Sequence, residues 1–221
     1  MDELRAEPRW VVVVPVKGSV GAKSRLRGVP GRAALADAFA LDTVAALVAA
    51  SAVEYVFVVT GNARLGELLT ELGAIVVPEH PAAETWAETW AETGQARLNA
   101  AIEQGLAAAR QTCPQANLAV MTGDLPALRP ADLETGFALA AAHPRSMVAD
   151  AEGVGTTTLF ARAGVALTPR FGLDSRAVHE AAGHVVLALP ASSSLHRDVD
   201  TAADLAAARA LGLGPHTSAL L

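Results

Sequence analysis

Short apolar runs alternate along this chain with longer stretches whose apolar residues recur at helical spacing. Residues 11–16 (VVVVPV) form a continuous, mostly β-branched run, the pattern of a strand covered on both faces. Residues 31–50 place Leu35, Phe39, Val44 and Leu47 in helical register, with Asp37 and Asp42 on the more polar side. Residues 53–60 read as a second strand, 64–72 as a helix closed by Gly73, and 74–77 as a third strand stopped by Pro78. Further on, residues 97–110 carry Leu98, Ile102 and Leu106 in register, 117–121 read as a strand, 130–142 as a helix and 146–149 as a strand. A loop over 149–160 feeds another strand, Ser175 opens a helix, 185–189 read as a strand, and Thr201 is placed to cap a last helix. The chain is expected to fray after Gly214. This alternation predicts an α/β fold, a Rossmann-like three-layer arrangement on a mostly parallel mixed sheet. No linker interrupts it, so one domain over 1–221 is expected, with its core from about 10 to 211.

Composition narrows the picture. With 221 residues, 52% hydrophobic and 18% charged, the chain can bury a sizeable core, and wholesale disorder is excluded. Aromatics are only 4%, so that core must be built from Val, Leu and Ala. A net charge of −6 argues against general nucleic-acid binding, which needs a basic surface. It leaves a single nucleotide open, because a local cation cluster and a metal suffice. Cys113 is the one cysteine, so neither an intrachain disulfide nor a Cys-rich zinc site can form, and the thiol reads as a small packing residue. No apolar run is long enough for a signal peptide or a membrane span, and a cytoplasmic protein without membrane contact is the expectation.

Four stretches could carry chemistry. The first strand runs into KGSVGAKSR, where a phosphate-wrapping P-loop would need Gly directly before Lys; here Ala22 precedes Lys23-Ser24, so it is not a P-loop. Lys17, Lys23 and Arg25 still follow a parallel strand, at the end where open α/β sheets bind ligands, and three cations there suit a triphosphate. A solvated basic loop is the bland alternative. Asp124, in VMTGDLPAL, projects from a strand end and could serve a hard cation such as Mg²⁺, or cap a turn. Asp198 and Asp200 in RDVDT lie two apart, so an extended segment points both the same way, a costly placement unless a cation sits between them. Asp200 could instead serve the helix start at Thr201. Finally, GVGTTT with Thr156 and Thr157, and FGLDSR with Gly172 and Ser175, offer hydroxyls and amides that suit an anion or simply a turn. His179 reads as a packed or solvent-facing histidine. The repeat AETWAETWAETG (83–94) sets Trp86 and Trp90 on one helical face, as a surface insertion or as a lid.

In their order, PVKGSVGAKSRL, GDLPAL, GVGTTTL, FG-x-x-S with His179, and RDVDTAADL resemble the 2-phospho-L-lactate or phosphoenolpyruvate guanylyltransferases of coenzyme F-420 biosynthesis. These belong with the molybdenum-cofactor guanylyltransferase-like nucleotidyltransferases. The resemblance spans residues 10–211 and implies the nucleotide-diphospho-sugar transferase type of fold. It implies transfer of GMP from GTP to the phosphate of a three-carbon acid, with release of pyrophosphate. By the same resemblance Asp124, Asp198 and Asp200 would hold Mg²⁺, and Thr156, Thr157, Gly172 and Ser175 would bind the acceptor. Lys17, Lys23, Ser24, Arg25 and Asn99 would face the nucleotide, with Lys17, Lys23 and Asp124 closest to the chemistry. Phosphoenolpyruvate is preferred over 2-phospho-L-lactate as acceptor, a homodimer is compatible with this reading, and a downstream F-420 transferase would take the product. Two departures touch specificity: the repeat replaces a Gly-rich segment before Leu98-Asn99-Ala100-Ala101, and Leu173-Asp174 stands where Pro-Gly is typical. A molybdopterin guanylyl- or cytidylyltransferase would carry a different, glycine-rich first loop, and a non-catalytic nucleotide-binding module would bind without turnover.

Overall fold

A computed structural model describes residues 9–16, 31–80 and 90–221, with 90–93 described for the backbone alone. Its elements in chain order are β1 (Trp10–Pro15), α1 (Arg32–Ala49), β2 (Val53–Thr60), α2 (Ala63–Glu71), β3 (Ile75–Pro78), α3 (Trp90–Thr112) and β4 (Asn117–Met121). They continue with α4 (Pro130–Ala140), β5 (Arg145–Ala149), β6 (Thr156–Ala161), α5 (Ser175–Ala181), β7 (Val185–Val186), α6 (Ala202–Leu211) and α7 (Pro215–Ser218). The seven strands make one sheet in the order β3-β2-β1-β4-β6-β5-β7. β1 pairs in parallel with both β2 and β4, and β6 alone runs against its neighbours β4 and β5.

The valine run explains itself in this setting. Val11 to Val14 are fully buried, and successive side chains leave opposite faces of the strand. Val12 and Val14 join Val44 and Leu47 of α1, Leu65 and Leu69 of α2, and Leu133 and Phe137 of α4. Val11 and Val13 meet Ile102, Leu106 and Ala109 of α3 on the other face. Helices therefore cover both sides of β1, which is why its sequence shows no polar alternation. Gly105 lets α3 lie close on the sheet: a Cβ there would fall 2.7 Å from Val59 Cγ2 and nearer still to Val13 Cγ1.

Three expectations from sequence need correction. Asp42 is buried, not on a polar face: its carboxylate accepts the amides of His216 and Thr217 at 2.9 and 2.8 Å. The segment after Gly214 is correspondingly not frayed, but forms α7 docked on α1 through that carboxylate. α3 is also longer than residues 97–110 and begins at Trp90, inside the tetrapeptide repeat. Thr201 does cap α6, in a reciprocal capping box with Asp204.

Candidate active site

The order β3-β2-β1-β4 reverses direction between β1 and β4, since the chain builds outward from β1 on both sides. In open α/β sheets the crevice outside the carboxyl ends of such a strand pair receives the ligand. Asp124 sits there, half-buried, in the turn that leaves β4. Gly123 allows that turn to approach β1: a Cβ at this position would lie 3.1 Å from Val16 Cγ2 and 3.3 Å from the Pro15 carbonyl oxygen.

The Asp124 turn is held from two sides. The Leu125 amide donates to Thr43 Oγ1 of α1 at 3.0 Å, and that hydroxyl donates onward to the Phe39 carbonyl at 2.7 Å. The Val199 amide donates to the Asp124 carbonyl at 3.0 Å. Val199 points its side chain into the apolar cluster of Leu35, Phe39 and Leu205, which sets its half-buried neighbours Asp198 and Asp200 away from that core. The structure thus brings together the two acidic stretches that the sequence separates by more than seventy residues. Among the described residues, no three His, Cys, Asp or Glu side chains form a ready-made metal cage. Carboxylate oxygens in one or two contacts, completed by water and phosphate oxygens, are the usual surroundings of Mg²⁺, so the donor set fits that ion.

The second half of the site lies at the same end of the sheet because β6 runs in reverse. Its first residues stand beside the end of β4, with Met121 opposite Thr158 and the Thr122 amide bonded to the Thr157 carbonyl at 2.9 Å. A bulge then separates the two candidate threonines. Val148 pairs with Thr158 and Ala149 with Thr156, leaving Thr157 as the extra residue. Thr157 turns its hydroxyl to the Leu195 carbonyl at 2.6 Å and is fully buried. Thr156 Oγ1 instead lies 3.0 Å from His179 Nδ1, with Met147 Sδ at 3.9 Å.

His179 is buried under the FGLDSR loop, its ring 5.5 Å from that of Phe171, edge to face. Its Nε2 accepts the Arg170 amide at 3.0 Å. Burial pushes the imidazole down to about 4, with His184 and Arg170 acting in the same direction, so it is neutral at pH 7. The loop itself departs from ordinary backbone geometry. Gly172 has φ +143° and Asp174 φ +52°, the one described non-glycine residue in left-handed conformation. A side chain at Gly172 would also run into Gln95 of α3. Ser175, buried, begins α5 immediately afterwards.

Asn99, expected beside the nucleotide, is bonded to backbone groups of α3 and of the FGLDSR loop. Its Nδ2 donates to the Phe171 and Gln95 carbonyls at 3.0 Å each, and its Oδ1 accepts the Phe171 amide at 3.0 Å. That paired contact ties α3 to the FGLDSR loop. Lys17, Lys23, Ser24 and Arg25 lie outside the described residues, as do Trp86 and the side chain of Trp90. Sequence reasoning missed Thr43 and the bonding of His179, whose roles arise from partners 82 and 23 residues away and leave no local signal.

Comparison with known proteins bears on the fold and the family. No family model matches the chain. A nucleotide-diphospho-sugar transferase from Desulfovibrio desulfuricans G20 superposes with a TM-score of 0.59 at 16% identity, covering 89% of this chain and 84% of that one. A 4-diphosphocytidyl-2C-methyl-D-erythritol synthase superposes with a TM-score of 0.56 at 13% identity, covering 93% and 99%. At such identities these neighbours establish the fold alone. Among curated proteins, the phosphoenolpyruvate guanylyltransferase of Streptomyces coelicolor is 46% identical over 96% of this chain and 95% of its own. That of Streptomyces scabiei is 47% identical over 96% and 95%, and that of Thermomonospora curvata 46% over 97% and 90%. Identity at this level over nearly the full length of both partners places the chain in the phosphoenolpyruvate guanylyltransferase family of nucleotidyltransferases.

Proposed function

We propose that this protein transfers GMP from GTP to the phosphate of phosphoenolpyruvate, releasing pyrophosphate, in an Mg²⁺-dependent reaction that serves coenzyme F-420 synthesis. The observation that carries the reading is the Val199–Asp124 backbone bond of 3.0 Å, which sets the Asp198–Asp200 pair against the Asp124 turn at the β1/β4 crevice. The names of the curated relatives support guanine as the base and phosphoenolpyruvate as the acceptor.

The chemistry asks for little acid–base help. A phosphate oxygen of the acceptor attacks the α-phosphorus of GTP, the bond from that phosphorus to the bridging oxygen breaks, and pyrophosphate leaves with the electron pair. The attacking oxygen is already anionic, so no base need remove a proton from it. The obstacle is repulsion between two polyanions, overcome by charge neutralisation and in-line positioning. Asp124, Asp198 and Asp200 would hold Mg²⁺, which supplies that neutralisation when bound. Lys17, Lys23 and Arg25 take the nucleotide phosphates as point charges, without the amide wrap of a P-loop. Thr156, Gly172 and Ser175 receive the acceptor, while Thr157 contributes backbone structure through its bond to Leu195.

The decisive assay measures pyrophosphate release with GTP, ATP or CTP against phosphoenolpyruvate or 2-phospho-L-lactate, with and without Mg²⁺. An enzyme that takes up the product is included to relieve inhibition. Release with GTP and phosphoenolpyruvate is expected; release with 2-phospho-L-lactate alone would reassign the acceptor, and silence in every arm would sink the reading. Asp124→Ala is expected to lower turnover at least about 10²-fold with circular dichroism unchanged, as removal of a preorganised charge in a reacting site does. Unaltered rates would remove Asp124 from the site.

A further inference from the structure

The His179–Thr156 contact has a direction, and the direction has a consequence for substrate binding. An amide N–H can only donate, so the Arg170 amide requires a bare lone pair on His179 Nε2. The neutral ring must then carry its proton on Nδ1. That N–H faces Thr156 Oγ1 at 3.0 Å, and the hydroxyl oxygen accepts it. The Thr156 hydroxyl proton is consequently turned away from the histidine, toward Met147 Sδ at 3.9 Å, a weak acceptor. An anionic oxygen arriving at this end of the sheet would displace that contact and gain a charge-assisted bond.

We infer that His179 is a positioning residue that fixes the Thr156 hydroxyl as a donor to an anionic oxygen of the acceptor substrate, a phosphorylated three-carbon carboxylic acid. The inference rests on the proposed function for the identity of that substrate, but the hydrogen-bond chain exists without it. The site around it is formed from three elements at once. α5 carries His179, the preceding loop supplies the Arg170 amide, and the start of β6 supplies Thr156, with the Phe171 ring against the imidazole. An acceptor that fits Gly172 and Ser175 would meet the Thr156 proton from the same loop. The bond chain from the Arg170 amide through His179 ends at Thr156, so the effect is expected on the acceptor.

Two measurements test it. In long-range proton–nitrogen spectra of the full ¹⁵N-labelled chain at pH 7, the histidine signal lost in His179→Asn should be a neutral ring protonated on Nδ1. A ring protonated on Nε2 overturns the proposal whatever the enzyme does. In steady-state kinetics, His179→Phe should raise KM for phosphoenolpyruvate about 10-fold or more, the range of one lost bond to a charged group. KM for GTP should stay within about 3-fold, smaller than the effect of one such bond. His179→Asn, whose amide can still donate to Thr156, should recover most of the loss. In a Thr156→Val background the His179 substitutions should add little, because the two residues act as one unit. Additive losses, or equal rises in both KM values, would overturn the role. Should His179→Phe fail to fold, the cycle built from His179→Leu, which likewise cannot donate to Thr156, Thr156→Val and their combination reads the same coupling. Wild-type protein that releases no pyrophosphate would refute the proposed function while leaving the spectroscopic test of the His179 proton in force.

Discussion

The carboxamide of Asn99 has both N–H groups on backbone carbonyls and its oxygen on the Phe171 amide. Such a residue has nothing left to donate to a guanine, but it decides where the FGLDSR loop sits. Asn99→Ala is therefore expected to raise KM for the acceptor about 10-fold, the cost of freeing a loop held by two bonds, and to leave KM for GTP nearly unchanged. A selective rise in KM for GTP would return Asn99 to the nucleotide side. Asp174 belongs to the same scale. It holds φ +52°, a conformation that favours glycine, so this chain maintains a strained residue in its candidate acceptor loop. Asp174→Gly should stabilise the protein by about 1 kcal/mol, measured by urea unfolding.

At the scale of elements, the helix–sheet spacing on the α3 side is set by Gly105. Alanine there would favour the helix by about 1 kcal/mol in intrinsic propensity. Against this stands the crowding of its Cβ by Val13 and Val59, whose rotamers are fixed within a fully packed face. Overpacking of that kind costs about 1–3 kcal/mol, so the net effect of Gly105→Ala should be destabilising. A urea midpoint at or above that of the wild type would show that the layer can shift. The same helix carries Asn99 less than two turns before Gly105, which links packing to function: a displaced α3 moves the Phe171 contact and with it the FGLDSR loop. β6 contributes differently. Its reversed direction delivers Thr156 to the ligand end of the sheet, and its bulge turns Thr156 and Thr157 to opposite duties.

For the molecule as a whole, the buried histidines tie stability to pH. His179 and His184 are both pushed down, each chiefly by burial. The folded state then binds fewer protons than the unfolded chain, whose histidines titrate near 6.5, so stability rises with pH in that range. The contribution is complete above about 6.5 and is lost as pH falls toward about 4, where His179 protonates in the folded state. Unfolding free energies from urea titrations at pH 7 and pH 5 should differ by on the order of 2 kcal/mol, and His179→Asn should reduce the difference. A flat profile would mean that His179 titrates normally. Asp42 illustrates a second long-range dependence, since it fastens the last helix to α1 across 174 residues of sequence.

The sequence by itself determined the layers, the seven strands and the motifs that point to the family. These follow from local rules: a doubly covered strand must be apolar throughout, a helix repeats its apolar face, and Thr201 with Asp204 caps by contact over three residues. Tertiary structure alone decided what the polar groups do. Whether Asp42 faces water or a helix end, whether Thr156 and Thr157 share a face, and whether Asn99 reaches a ligand or a loop depend on partners distant in the chain. A buried polar group must find its hydrogen-bond partner wherever the fold provides one, and no local pattern records that choice.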